Sequence, residues 1–217
     1  MASAVVELLR RRFMKGKKDD DYIKDGLVFH LDGINRGTTD PTKWVDLIGG
    51  VEFSGTDSWG VNYRIGNSSN TMVAYGIVEP TLNSATMEIV YRVTEWQNRR
   101  IYEPNVQRGN NFCFGYASNY MSLTNNSSNK RCIKAADAPL GHDHCVSYYG
   151  TKVVLDGAEY TPTNYDWFFG MSNGSTRIGY LGCRIYSIRF YNRLLTTDEM
   201  LHNQRVDNKR FHLGLTI

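Results

Sequence analysis

Apolar and polar side chains alternate with a period of two along much of this chain, which predicts β-strands with two distinct faces. After Cys183 the alternation separates a mixed face from an apolar face: Ile185, Ser187 and Arg189 against Tyr186, Ile188 and Phe190. Residues 86–93 alternate in the same way, with Met87, Ile89, Tyr91 and Val93 opposite Glu88, Val90 and Arg92. We therefore predict long strands in both segments.

Many shorter strands are predicted between turns rich in Gly and Asn. They fall at residues 26–32, 51–53, 61–65, 72–78, 100–103, 111–116, 120–123, 131–134, 144–149, 152–155, 158–161 and 176–179. Asp156-Gly157 is typical of a tight hairpin turn. After the last strand, Thr196 and Glu199 have the spacing of a helix capping box. The pattern predicts an all-β, antiparallel β-sandwich with one short C-terminal helix.

The end of the chain resembles the LamG-like, concanavalin A-like lectin/glucanase superfamily. The matching positions are Ile185, Ser187, Ile188, Arg189, Tyr191, Asn192, Arg193, Leu195, Thr196, Asp198 and Glu199. Residues 26–33 are similar to the opening strand of that superfamily, and residues 152–160 to its late hairpin. The resemblance covers residues 22–211 and implies a concanavalin A-like jelly roll, a fold that hosts many activities.

The net charge of +3 is unevenly distributed, because basic residues are concentrated in the first 18 positions. We predict a basic N-terminal arm at residues 1–21 and one domain at residues 22–217. The candidate docking residues of the arm are Val5, Val6, Leu9, Arg10, Arg11, Arg12 and Phe13. A disordered tail, a docking peptide and a membrane-surface helix remain alternatives. Charge confined to one arm does not favour nucleic-acid binding.

Residues 1–18 lack the pattern of a secretory signal, and no apolar run has the roughly 20 residues needed to cross a bilayer. A lectin-like body without an export signal suggests a phage virion component made in the host cytoplasm. We therefore predict a virion structural, decoration or fibre protein that docks on other virion proteins through its arm. Host-surface glycans are candidate ligands, and a homo-oligomer is an open alternative.

The acidic residues do not form the pattern expected of a glycosidase. Retaining glycosidases place two carboxylates about 5 Å apart, and glucanases of this superfamily carry Glu-x-Asp-x-x-Glu or a close variant. No such string occurs, and the strand of Glu88 has Val90 and Arg92 at the same-face positions. The sequence therefore predicts that the chain is not an enzyme, with an atypical glycosidase as the remote alternative.

An aromatic loop and its neighbours could bind sugar, because Trp and Tyr rings stack on the apolar faces of sugars. The candidates are Trp96, Asn98, Arg99, Tyr102, Tyr116 and Tyr120. The alternative is that these residues cover the sheet or form an oligomer contact.

Metal signals are weak, and we predict no cofactor. Calcium is common in the resembled superfamily, and Asp32, Asn35 and Asp40 are candidate ligands without a dedicated spacing. The segment His142-Asp143-His144-Cys145 lacks a second pair of ligands, so we interpret it as a solvated loop end. The four cysteines have no Cys-x-x-Cys spacing and are interpreted as buried thiols.

Overall fold

The computed structural model describes residues 21–67, 69–75, 85–95, 101–103, 113–117, 120–125, 128–134, 136–149, 152–161, 175–179 and 182–217, with backbone alone for the segments between 113 and 134. The described residues form fifteen strands and one helix, whose bounds follow in chain order. They are β1 (Leu27–Asp32), β2 (Lys43–Val45), β3 (Glu52–Gly55), β4 (Arg64–Gly66), β5 (Met72–Tyr75), β6 (Thr86–Val93), β7 (Tyr102–Glu103), β8 (Cys113–Ala117), β9 (Tyr120–Asn125), β10 (Ser128–Lys134), β11 (His144–Tyr149), β12 (Lys152–Leu155), β13 (Ala158–Tyr160), β14 (Ser175–Ile178), β15 (Cys183–Tyr191) and α1 (Thr197–Phe211).

The strands form two antiparallel sheets. One sheet has seven strands in the order β1-β15-β6-β11-β12-β13, with β4 also paired to β15. The other has eight strands in the order β10-β9-β8-β7-β14-β5-β3-β2. Every pairing between these strands is antiparallel, so the predicted all-β sandwich with a short C-terminal helix is confirmed. The predicted arm and its docking residues lie outside the described residues.

The main core lies between the two sheets and is built from the apolar positions of the alternating strands. The seven-stranded sheet contributes Ile89 and Tyr91, and the eight-stranded sheet contributes Trp44 and Phe53, all almost completely buried. Burying side chains of this size stabilises the fold by about 1.5–3 kcal/mol each. The indole of Trp44 donates to the Asp32 carbonyl at 3.0 Å, so its N–H is not left unpaired.

A β-bulge in β15 corrects the face assignment made from the alternation. Ile185 pairs with Tyr91, but the next paired residue is Ser187, so Tyr186 has no partner on β6. The extra residue reverses the pattern along the strand, since two residues oppose one at a bulge. Ile185 therefore lies in the main core, whereas Tyr186 lies on the outer face of the sheet, against Phe211.

Helix α1 packs on the outer face of the seven-stranded sheet. Its start is fixed by the predicted capping box: the Glu199 amide donates to Thr196 Oγ1 at 3.2 Å, and the Thr196 amide donates to Glu199 Oε2 at 2.9 Å. Met200 and Phe211 anchor its two ends in separate apolar clusters. The described residues contain no helix with the length and hydropathy of a membrane span.

Candidate functional site

Two polar regions are built on the seven-stranded sheet. The first, called the buried ion cluster, consists of Arg189, Glu88 and Asp207, each about 1% exposed. Arg189 Nε donates to Glu88 Oε2 at 2.9 Å and Arg189 Nη2 donates to Asp207 Oδ2 at 2.5 Å. Burial raises the pKa of the Glu88 carboxyl, and the charge of Arg189 opposes that rise.

Neutral hydrogen bonds complete the buried ion cluster. Ser147 and Asn203 donate to the Glu88 carboxylate at 2.9 Å each, and the Tyr22 hydroxyl donates to Asp207 at 2.8 Å. The charged groups of the cluster therefore bind one another and are almost completely enclosed. The cluster connects the first described residues, the sheet and the helix, so its role is structural.

The second polar region, called the cleft, is open to solvent and has a volume of about 350 Å³. It lies where β6 ends and β11 begins. Its wall comprises Arg92 and His144, Asp156 at the β12–β13 turn, residues 213–215 after the helix, and five loop residues: Asp137, Pro139, Gly141, His142 and Asp143. Most ligand sites combine apolar surface with a few fixed polar groups, and this wall has both.

Arg92 and Asp143 form the first fixed pair of the cleft. The Arg92 guanidinium binds the Asp143 carboxylate through Nε at 2.8 Å and through Nη2, and the Tyr186 hydroxyl donates to Asp143 Oδ1 at 2.7 Å. The bond to Asp143 raises the pKa of Arg92. Burial and the bond to Asp143 raise the pKa of the Tyr186 hydroxyl, so Tyr186 stays protonated.

His144 and Asp156 form the second fixed pair. His144 Nδ1 lies 2.7 Å from Asp156 Oδ2, and Nε2 lies 3.0 Å from the Pro139 carbonyl oxygen. Burial lowers the pKa of His144, but the bonds to Asp156 and Pro139 outweigh it and raise the pKa above 6.5. Because both ring nitrogens face acceptors, the protonated imidazole fits this position.

The remaining wall is the segment after the helix. His212 ends α1 in the left-handed conformation (φ 55°), and Asn208 then holds Leu215 through both its side-chain oxygen and its side-chain nitrogen. Leu213 and Leu215 are partly buried and give this side of the cleft its apolar surface. The tight turn predicted at Asp156-Gly157 is present, with positive φ at both residues.

The predicted solvated loop end is wrong for His144, which is buried, and right for His142, which is exposed. Sequence reasoning also treated Asp156 as a turn residue alone and did not group it with Arg92. No local signal joins these residues, because 64 positions separate them and the register of β6, β11 and β12 brings them together. Within the described part of the chain, no three potential metal ligands meet.

The candidate whose side chain the structure describes, Tyr102, does not line the cleft. Tyr102 lies in the main core with no exposed surface and packs on Phe190 at 5.3 Å between ring centroids, so its ring cannot stack on a ligand. Trp96, Asn98 and Arg99 lie outside the described residues. Tyr116 and Tyr120 belong to β8 and β9, for which the structure describes the backbone alone.

The calcium candidates have local roles. Asp32 Oδ1 accepts from the amides of Ile34 and Asn35, at 2.7 and 3.0 Å, and Arg210 binds its second oxygen. Asn35 Oδ1 accepts from the Gly37 amide, and Asp40 Oδ1 accepts from the Thr42 amide and hydroxyl. The Oδ1 atoms of all three residues therefore stabilise turns of the chain.

No protein-family model matches this chain, and no curated protein matches it in sequence. Among solved structures, the chain is similar to Trypanosoma rangeli sialidase in complex with 2,3-difluorosialic acid, with a TM-score of 0.57 and 12% identity over 83% of this chain and 33% of the sialidase chain. It is also similar to domain 4 of AbnA, a GH43 extracellular arabinanase from Geobacillus stearothermophilus, in complex with arabinotriose, with a TM-score of 0.55 and 14% identity over 82% of this chain and 98% of that domain.

The receptor-binding domain of botulinum neurotoxin type G gives a TM-score of 0.59 with 10% identity, over 85% of this chain and 52% of that chain. At these identities the likeness concerns the fold. The chain spans about a third of the length of the sialidase chains that it matches.

The prediction, made from the sequence, that the chain is not an enzyme is wrong. The similar structures include sialidases and a domain of a GH43 arabinanase, so this fold occurs within proteins of both kinds. The absence of a Glu-x-Asp-x-x-Glu string therefore does not separate the chain from glycosidases. The chain has a β-sandwich fold of the kind found in these three groups of proteins.

Proposed function

We propose that this chain is a carbohydrate-binding β-sandwich module and that the cleft is its binding site. The observation that carries the proposal is the composition of the cleft wall. Fixed carboxylate and imidazole groups stand opposite partly exposed leucines within about 350 Å³. A sugar needs polar partners for its hydroxyls and apolar surface for its C–H faces, and this wall offers both.

The cleft is also held in shape before any ligand arrives. Arg92 and His144 are each fixed by two hydrogen bonds, and the Gly141 amide donates to the Val93 carbonyl at 2.8 Å, which ties loop 137–143 to the end of β6. A site that is already ordered loses less conformational entropy on binding, and its affinity benefits accordingly.

Two of the similar structures support a sugar ligand. AbnA domain 4, matched over 98% of its length, is in complex with arabinotriose, and a Trypanosoma rangeli sialidase is in complex with sialic acid. The AbnA domain is the more informative of the two, because nearly the whole domain corresponds to this chain.

A glycan array followed by calorimetry with the best ligand tests the proposal. We expect the ligand to slow hydrogen exchange in residues 137–143 and 213–215. His142→Ala should weaken binding about fivefold, as expected for one lost hydrogen bond of about 1 kcal/mol. His202→Ala is the matched control, because His202 bonds to the Asp21 carbonyl outside the cleft.

Absence of any glycan ligand, or protection confined to other segments, would overturn the assignment of the cleft. The same incubations, analysed for shortened oligosaccharides, report whether the chain also cleaves what it binds.

The virion role stays a prediction, because it depends on residues 1–20, outside the described part of the chain. The described junction sharpens its test: the Ile23 amide donates to Asn203 Oδ1 at 3.0 Å, and Tyr22 belongs to the buried ion cluster. A truncation should therefore remove residues 1–20 and retain Tyr22. We expect a folded body that no longer joins phage particles; incorporation of the truncated form would contradict the anchoring role.

A further inference from the structure

The charges of the cleft restrict which sugars it can accept. Its described wall contains three carboxylates, Asp137, Asp143 and Asp156, against one guanidinium, Arg92, and two imidazoles, His142 and His144. We propose that the cleft selects neutral oligosaccharides and rejects sugars that carry a carboxylate or a sulfate group. This inference rests on the proposed function and names the ligand class of the same site.

Arg92 is the natural partner for an anionic sugar, but its charge is already paired with a carboxylate. Its guanidinium binds both oxygens of Asp143, whose side chain is 9% exposed. An anion that took Arg92 would leave this nearly buried carboxylate with the Tyr186 hydroxyl and little solvent. Separating Arg92 from Asp143 gives up a bidentate, charge-assisted bond whose aspartate is little exposed, so Arg92 stays with Asp143.

His144 is likewise unable to bind an anion. Its side chain is 4% exposed, and its two nitrogens face Asp156 and the Pro139 carbonyl. Protonation of His144 neutralises Asp156 but presents no N–H to the cleft. Among the ionisable side chains of the described wall, exposed His142 is the possible donor that is not paired with a carboxylate, and the same wall contains the exposed carboxylate of Asp137.

The negative charge of these carboxylates also acts on Tyr160, which is not part of the cleft wall. Burial raises the pKa of the Tyr160 hydroxyl, and the charges of Asp137 and Asp156 raise it further. An incoming carboxylate or sulfate meets the same repulsion. A neutral sugar does not, and its hydroxyls can donate to the remaining lone pairs of the carboxylates.

Pairs of glycans that differ in charge provide the test: lactose with 3′-sialyllactose, and galactotriose with trigalacturonic acid, alongside arabinotriose. Calorimetry on the full chain should give tighter binding for the neutral member, by about tenfold at low salt. The difference should shrink at high salt, because screening weakens repulsion between exposed charges.

Asp137→Asn removes the exposed carboxylate and should reduce the preference severalfold, whereas Asp57→Asn, a matched change in an exposed loop outside the cleft, should leave it unchanged. Circular dichroism verifies that both variants fold. If the charged member binds as tightly or more tightly, the inference fails and the proposed function stands. If no member of the panel or of the array binds, the proposed function fails as well.

Discussion

The buried ion cluster and the cleft contain the same kind of bond in two different surroundings. In each, an arginine on the helix side of the seven-stranded sheet binds an aspartate through two nitrogens, and a tyrosine hydroxyl donates to that aspartate. Arg189 is 1% exposed, whereas Arg92 is 28% exposed. Helix α1 covers the first pair and ends beside the second, so coverage by the helix separates the enclosed pair from the pair at the proposed binding site.

The largest expected effect is the loss of Arg189. Arg189→Met would leave Glu88 and Asp207 buried without their cation, which should lower the free energy of unfolding by about 3–5 kcal/mol. Arg92→Met at the cleft should cost less, about 1–2 kcal/mol, because Arg92 is 28% exposed and water can partly replace it beside Asp143. Urea unfolding of both variants measures the two values. Equal losses would show that the two regions do not differ in the way proposed.

The tyrosine hydroxyls allow a finer comparison between the same two regions. Tyr22→Phe removes a donor to buried Asp207 and should cost about 1.5–2 kcal/mol, since hydrogen bonds to charged groups are the stronger ones. Tyr186→Phe should cost about 0.5–1 kcal/mol, because Asp143 keeps Arg92 and some contact with water. Chemical denaturation of the two single variants measures both losses of unfolding free energy. A larger loss for Tyr186→Phe than for Tyr22→Phe would contradict the comparison.

The smallest expected effect is a pH dependence from the cleft. The pKa of His144 is raised above 6.5 in the folded chain, so its contribution to stability is complete below pH 6.5. That contribution is lost as the pH rises through the folded-state pKa. His144→Asn should therefore flatten the dependence of stability on pH in this range. An unchanged slope in His144→Asn would contradict the role of the Asp156 bond.

The sequence was most informative where the determining contacts are local. Thr196 and Glu199 predicted the helix start because a capping box needs only residues three apart. Asp156-Gly157 predicted the hairpin for a similar reason, since both residues tolerate positive φ. The prediction of the apolar face of β6 was also correct, because a regular strand keeps its period of two from end to end.

The bulge shows where pattern reasoning failed. Strict alternation placed Ile185 with Ser187 and Arg189, but the unpaired Tyr186 moves Ile185 to the core face. A bulge depends on the register against β6, and a single strand's sequence does not contain that register. The prediction of Tyr102 as a sugar-binding residue failed for a related reason. Its position near a polar loop suggested exposure, but its ring lies in the core.

By itself the sequence determined the alternating strands, the capped final helix and hence a β-sandwich, because these follow from contacts between near neighbours. The tertiary structure alone decided that Arg189 is enclosed while Arg92 lines an open cleft with Asp143, His144 and Asp156. The physical reason is that burial and pairing across strands arise from residues distant in the chain. The chemistry of a charged side chain depends on how much water those residues leave around it.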